Sequence, residues 1–129
     1  APQQSQDALY DTSRPVSGVV FNLRGMAFER VILPVVITVG ENNVPVTVYS
    51  VKSVEPEVIR TYGCIRYADS VDQARQMAHL GDNVLVIPAS GVTKDNMVVI
   101  GYPHARLIRE TTSHGNDYLS KAKAVISAQ

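Results

Sequence analysis

The sequence predicts an α+β fold, a mostly antiparallel sheet backed on one side by a central helix and a C-terminal helix. Three observations predict it. Runs rich in β-branched residues occur in both halves of the chain. A helix start signal stands between them at Ser70, and apolar residues at helical spacing follow Asn116. Helices on one face of a sheet bury all of these apolar sides in a single core.

The first half of the chain is predicted to form strands. The run at 19–24 alternates apolar and polar side chains, and the run at 30–39 is dense in β-branched residues. Turn residues at 40–43 join the second run to an alternating segment at 44–52, which predicts a hairpin. Because Pro34 cannot donate to a strand ladder, we expect its strand at an edge of the sheet, or bulged there.

A further strand is predicted at 57–67, and the clearest element follows it. Ser70 stands three residues before Gln73, the spacing of a capping box, and predicts a helix over about 70–80. Gly81 then supplies the left-handed residue that commonly ends a helix.

The last third of the chain is predicted to contain two strands and a helix. The short apolar run at 83–88 is typical of a strand buried on both faces, and a second strand is expected at 97–102. The segment from Tyr67 through the 70–80 helix to Asn83 suits a right-handed crossover between parallel strands. Asn116 is placed to cap a helix over about 117–128.

Length and composition predict one domain at 16–129 preceded by a flexible tether at 1–15. The chain has 129 residues, close to the commonest domain size, and its first residues are polar and begin at Ala1 without a methionine. That start is typical of an exported chain whose leader has been removed, so we expect a periplasmic location. No apolar run approaches the ~18 residues of a membrane span, so membrane attachment is expected only through a lipid upstream of Ala1.

Charge and cysteine content exclude several classes of protein. Twelve Lys and Arg balance twelve Asp and Glu, which removes the electrostatic case for general nucleic-acid binding. The single cysteine, Cys64, excludes an intrachain disulfide. We find no phosphate-binding glycine motif and no metal-ligand spacing among His79, His104 and His114, so no cofactor and no metal are predicted.

The candidate functional residues form an interaction patch. Tyr102, His104 and Arg106 alternate at strand spacing, so they are predicted to share an exposed face of the sheet with Arg60 and Tyr62. Tyrosine and arginine contribute disproportionately to protein interfaces. An ordinary solvated face is the alternative interpretation of the same five residues.

No catalytic residue is predicted. Cys64 would need a lowered pKa and a base within reach to act as a nucleophile. Arg60 and Arg66 fall on its face of the expected strand, but a small buried hydrophobe is the favoured interpretation of this cysteine.

Residues 63–107 carry a family resemblance. Gly63-Cys64-Ile65, the segment Ala74–Leu80, the segment Gly81–Val86 and the segment Val98–Tyr102 stand in the order strand, helix, turn, strand and closing strand. In this order they resemble small Gram-negative envelope lipoproteins related to the outer-membrane stress sensor of the Rcs phosphorelay. The resemblance implies a periplasm-facing, non-enzymatic module. The paired cysteines of that sensor are not present, so a disulfide mechanism does not carry over.

Two functions follow from these observations. The first is a non-catalytic envelope protein, tethered or lipid-anchored, that acts as a structural or interaction module of a larger cell-envelope or secretion assembly. Its expected partners are other envelope proteins, with a homo-oligomer as a further option and an exposed strand edge as the contact. The alternative is a small enzyme or ligand-binding domain that uses Cys64, His104 and nearby arginines.

Overall fold

Seven strands form one mixed sheet in the computed structural model of the chain, which describes residues 10–40, 42–77, 80–114 and 117–128. The strand order is β3-β2-β6-β5-β1-β7-β4. In chain order the elements are β1 Gly18–Asn22, β2 Val36–Val39, β3 Pro45–Tyr49, a 3₁₀ turn Val51–Ser53, α1 Pro56–Tyr62, β4 Arg66–Ala68, α2 Val71–Arg75, β5 Val84–Val92, β6 Val98–Ile100, α3 Tyr102–His114 and β7 Ala124–Ser127.

The predicted mostly antiparallel sheet is wrong. Within the described residues, β1 pairs in parallel with β5 and β7, β2 with β6, and β4 with β7. Only the β2–β3 and β5–β6 hairpins are antiparallel. The physical reason is the connections, because strands joined through helices run parallel, whereas strands joined by short turns run antiparallel.

Helices cover both faces of the sheet, not one face as the sequence predicted. On one face, β1, β5 and β7 pack with Ile108 of α3 and with residues of α1 in the larger core. On the other face, Val20, Val86 and Val125 pack with Ala74 of α2 and with Leu80. Strand β1 is therefore buried on both sides, as parallel strands generally are.

The C-terminal helix predicted at 117–128 is wrong, because these residues form a turn and then β7. Leu119, Ala122, Val125 and Ile126 have helical spacing, but β7 lies between β1 and β4 and is buried along its whole length. The β-branched pair Val125-Ile126 suits this double-sided burial. Asn116, the expected helix cap, lies outside the described residues.

Two helices occupy segments that the sequence analysis interpreted as strands. Helix α1 replaces the first part of the strand predicted at 57–67, and it begins at Pro56 and ends at Gly63, whose φ is +86°. Proline in the first turn and glycine after the last are the ordinary start and stop signals of a helix. Helix α3 begins in the same way, with Pro103 in its first turn. No helix of the described residues is both long and apolar enough to cross a membrane.

The central helix is shorter than the predicted 70–80. Helix α2 ends at Arg75, and Ser70 caps it, since its hydroxyl accepts a hydrogen bond from the Gln73 N–H at 3.1 Å. In a capping box the Gln73 side chain would accept from the Ser70 N–H. Here it accepts from the N–H of the preceding residue, Asp69. Gly81 has the predicted left-handed conformation, with φ at +78°.

The predicted hairpin is confirmed, but its edge is not where Pro34 suggested. Pro34 precedes β2, and β2 lies inside the sheet between β3 and β6. Strand β3 forms this edge of the sheet among the described residues, and it begins at Pro45.

Asn83 ties the segment before β1 to the start of β5. Its side-chain oxygen accepts from the Asp11 N–H at 2.7 Å, and its amide nitrogen lies 3.0–3.1 Å from the carbonyl oxygens of Asp11, Arg14 and Pro15. Asn83 is itself buried. The described part of the predicted tether, residues 10–15, therefore packs on the domain, and the boundary at residue 15 stays a prediction.

We predict that Asn83→Ala destabilises the protein by about 3 kcal/mol, because it leaves several backbone groups at a buried position without a hydrogen-bond partner. Urea unfolding followed by circular dichroism measures the change. Asn42→Ala is the control, since Asn42 is exposed, and we expect a change within about 0.5 kcal/mol. An Asn83→Ala midpoint equal to that of the control would contradict this role.

Two buried tyrosines predict a loss of stability in alkali. Burial raises the pKa of Tyr118 from 10.0 to about 12, and burial also raises the pKa of Tyr49. Above pH 10 the unfolded chain therefore loses these protons before the folded chain does, so the free energy of unfolding falls as pH rises through this window.

Tyr118→Phe should reduce the steepness of this alkaline loss between pH 10 and 12, by up to about 2 kcal/mol at its upper end. The measurement is the urea midpoint as a function of pH. Tyr62→Phe, which changes an exposed side chain, is the control and should keep the parent's profile. A Tyr118→Phe profile that coincides with the parent's would show the prediction to be wrong.

Candidate functional site

The structure divides the five residues of the predicted interaction patch between two helices. Arg60 and Tyr62 lie on α1, whereas Tyr102, His104 and Arg106 lie on α3. The strand spacing that was expected to bring all five together is therefore absent. Tyr102 and Arg106 are four residues apart on α3 and share one side of that helix.

Tyr102 and Arg106 line a cleft between α3 and the β2–β3 hairpin, which we call the Thr38 cleft. Its volume is about 300 Å³. His104, Arg60 and Tyr62 do not line it. The lining residues are Thr38, Val46, Thr47, Val48, Tyr102, Ala105, Arg106, Ile108, Arg109, Thr112 and Leu119.

Helical periodicity explains which side chains of α3 reach the cleft. Tyr102, Ala105, Arg106, Arg109 and Thr112 follow one another at steps of three or four residues, except for the adjacent pair 105–106. Steps of this length keep side chains on one side of a helix. The register of the sheet explains the other wall, because Val46 pairs with Thr38 across the hairpin and the two side chains share a face.

Thr38 carries the feature that most distinguishes this cleft. Its side chain is only 2% exposed, and among the described residues its Oγ1 is the one buried side-chain oxygen or nitrogen without a hydrogen-bond partner. An unsatisfied buried hydroxyl costs about 1–3 kcal/mol. Such a group in a native protein calls for an explanation, and a bound ligand or an ordered water is one.

The cleft carries positive charge on its helical wall. Arg106 and Arg109 are both exposed, and the salt bridges among the described residues involve other cations, namely Arg14, Arg30 and Lys121. Glu110, the acidic neighbour of Arg109 in sequence, lines a different cavity. Two guanidinium groups at the mouth of a partly apolar cleft suit a ligand that carries a carboxylate or phosphate.

Cys64 does not have the surroundings of a nucleophile. It is 1% exposed, burial raises its pKa, and its carbonyl oxygen accepts a hydrogen bond from the buried Tyr49 hydroxyl. A reactive cysteine needs the opposite, a lowered pKa and access to solvent. His104 lies on α3 and does not line the Thr38 cleft with the arginines.

Metal ligands do not converge in the part of the chain that the structure describes, where no group of three or more His, Cys, Asp or Glu residues forms a site. His79 and the side chain of His114 lie outside this description.

Two further cavities lack the unpartnered buried group of the Thr38 cleft. One of about 460 Å³ lies between the segment 10–16 and α3. Another of about 260 Å³ lies at the carboxyl ends of β1, β4 and β7 and is lined by Asn22, Arg24, Asp69 and Ser127 among others. Ligands often bind at the carboxyl edge of a parallel sheet. Here, however, polar groups that line the cavity bond within the fold, since the Asp69 carboxylate accepts from Arg30 at 2.8 Å and the Asn22 side chain accepts from the Arg24 N–H at 3.0 Å.

Thr38, Arg109 and Thr112 were not among the residues predicted from the sequence. Arg109 and Thr112 continue the helical spacing from Tyr102, so the proline at 103 and this spacing together were a usable signal. Thr38 lies in a run of β-branched residues, and nothing in that run distinguishes it.

Comparison with known proteins yields one family. No curated protein matches the chain. The family described as Treponema pallidum Tp0624, second domain, matches residues 18–128. It is not the group of envelope lipoproteins that the sequence resembles, and that resemblance stays a prediction. Since the match spans all of β1 to β7, the chain belongs to the family of the second domain of Treponema pallidum Tp0624.

Proposed function

We propose that this domain is a non-catalytic binding module that holds an extended polypeptide segment of a partner protein along β3, beside α3. One observation carries the proposal. The edge that β3 forms among the described residues and the Thr38 cleft meet at the same strand, because Val46, Thr47 and Val48 of β3 line the cleft. Addition of a strand to a sheet edge next to a helix is a common way to recognise peptides.

The hydrogen bonds of the hairpin indicate which backbone groups of β3 are free. The Gly40 N–H donates to the Val44 carbonyl oxygen and the Gly40 carbonyl oxygen accepts from the Asn43 N–H, so the hairpin closes with a hydrogen-bonded pair at Gly40. Such pairs alternate along an antiparallel ladder. Val46, opposite Thr38, is then bonded to β2, whereas Pro45 and Thr47 direct their backbone nitrogens to the outer side.

Pro45 and Thr47 therefore have opposite effects on this edge. Pro45 has no N–H and removes one outward donor at the start of the strand, which limits uncontrolled pairing between sheets. Thr47 keeps its outward N–H beside the cleft. Val44 and Val46 remain 58% and 41% exposed, so an added strand would also cover apolar surface.

An added strand would direct every second side chain into the cleft. Thr38 and Val46 face α3 in this sheet, and a residue opposite Val46 on a new strand would face α3 as well. The cleft therefore provides pockets for side chains, while the edge provides backbone hydrogen bonds.

The wider setting stays a prediction from the sequence. This includes the periplasmic location, the lipid anchor, the membership of an envelope or secretion assembly and the homo-oligomer. The alternative of an enzyme based on Cys64 and His104 gains no support from their positions, because Cys64 is buried in the core.

A random nine-residue peptide library, displayed and passed over the intact chain, tests the proposal. We expect retained peptides, and a synthetic copy of one should shift NMR signals of β3 and α3 and slow amide exchange at Thr47 at least tenfold. Thr47→Pro should weaken binding about tenfold, the loss expected for one backbone hydrogen bond of about 1.4 kcal/mol.

Thr47→Val is the matched control, because it keeps the backbone N–H and should keep the affinity within about threefold. If Thr47→Pro does not fold, the proposal is still tested by the slowing of amide exchange at Thr47 when the peptide binds the unaltered chain. A library that yields no retained peptide, or signal shifts that map away from β3 and α3, would overturn the proposal.

A further inference from the structure

The Thr38 cleft has the chemistry to select what binds in it, and this selection extends the proposed function. Its helical wall carries Arg106 and Arg109, and the described residues place no carboxylate within 4.0 Å of either guanidinium. Thr38, whose buried hydroxyl has no hydrogen-bond partner among the described residues, lines the same cleft. These are two independent observations, one of charge and one of an unused hydrogen-bonding group.

The two arginines favour an acidic group over a neutral or basic one. Arg106 and Arg109 are three residues apart on α3, so their side chains extend from neighbouring positions on the same side of the helix. A guanidinium binds a carboxylate through two parallel hydrogen bonds, and a pair of them repels a basic side chain.

The apolar part of the cleft favours a side chain with methylene groups between its backbone and its charge. Val46, Val48, Ile108 and Leu119 line the cleft together with the arginines. An extended backbone on β3 would direct such a side chain across these apolar residues toward α3.

We propose that the cleft is the specificity site of this module and that it selects extended polypeptide segments bearing an acidic side chain, whose carboxylate binds Arg106 and Arg109. The Thr38 hydroxyl supplies a hydrogen bond to the polar group of the segment that reaches the inner surface of the cleft, since a threonine hydroxyl both donates and accepts. This inference rests on the proposed function, because it requires a segment on β3.

The composition of peptides retained from the random nine-residue library is the first test. We expect Asp and Glu to be enriched severalfold over the unselected library at one position. A synthetic acidic peptide should lose about tenfold in affinity when that residue becomes Gln or Asn, and its binding should weaken as salt increases.

Variants of the cleft form the second test. Arg106→Gln and Arg109→Gln should each weaken binding of the acidic peptide about fivefold to tenfold, with much less effect on the Gln-substituted peptide. Arg75→Gln is the matched control, because Arg75 is an exposed arginine on α2, on the opposite face of the sheet, and should leave affinity unchanged.

Thr38→Val separates a binding role from a structural one. It replaces an unpartnered buried hydroxyl with a methyl of similar size, so the free protein should melt higher, by about 4 °C. The same variant should bind the acidic peptide at least threefold more weakly. A merely structural threonine would change the melting temperature and leave the affinity unchanged.

The outcomes distinguish the two proposals. Retained peptides without acidic enrichment, or an acidic peptide that binds the Arg106→Gln, Arg109→Gln double variant as well as it binds the parent, would overturn the acidic specificity and leave strand addition intact. A library with no retained peptide would overturn strand addition and the specificity together.

Discussion

Burial of β1 from both faces is the constraint on which the rest of this structure depends. The strand pairs in parallel with β5 on one side and with β7 on the other, and its residues 18–21 are fully buried. Parallel neighbours cannot be joined by tight turns, and a two-sided apolar strand needs cover above and below. The crossovers provide that cover, with α2 on one face and α1 and α3 on the other.

The helices do not cover the whole sheet, and the candidate site lies beside the part that they leave uncovered. Helix α3 packs its Ile108 into the larger core, but beyond β2 the sheet continues to β3, where Val46, and Val44 just before the strand, remain exposed. The space between this uncovered edge and the helix is the Thr38 cleft. At the β3 edge of the sheet, backbone groups and the side chains of the cleft are therefore both accessible to a ligand.

The sequence correctly predicted those elements that are determined by residues close together along the chain. The run at 19–24, the hairpin turn at 40–43, the Ser70 cap and the buried run at 83–88 all correspond to elements of the structure. Each of these depends on turn chemistry, capping or short-range alternation, which are written within a few residues.

What depends on distant residues was not predictable in the same way. The segment 119–126 has helical spacing when considered alone, and only the position of 124–127 between β1 and β4 makes that part a strand. The same limitation applied to the site. Tyr102 and Arg106 line one cleft because they are four residues apart on a helix, not because they alternate along a strand, and their neighbours Thr38 and Thr47 come from another part of the chain.

The position of β7 has a consequence for biosynthesis. Val19 pairs with Ala124, and Arg66 pairs with Val125, so the strand that joins β1 to β4 is synthesised about a hundred residues after β1. Until then β1 and β4 lack the strand that lies between them near one edge of the sheet, so the strand edges that they present to it stay exposed. Contacts of such long sequence separation slow folding, and apolar strand edges that stay exposed in the meantime favour aggregation.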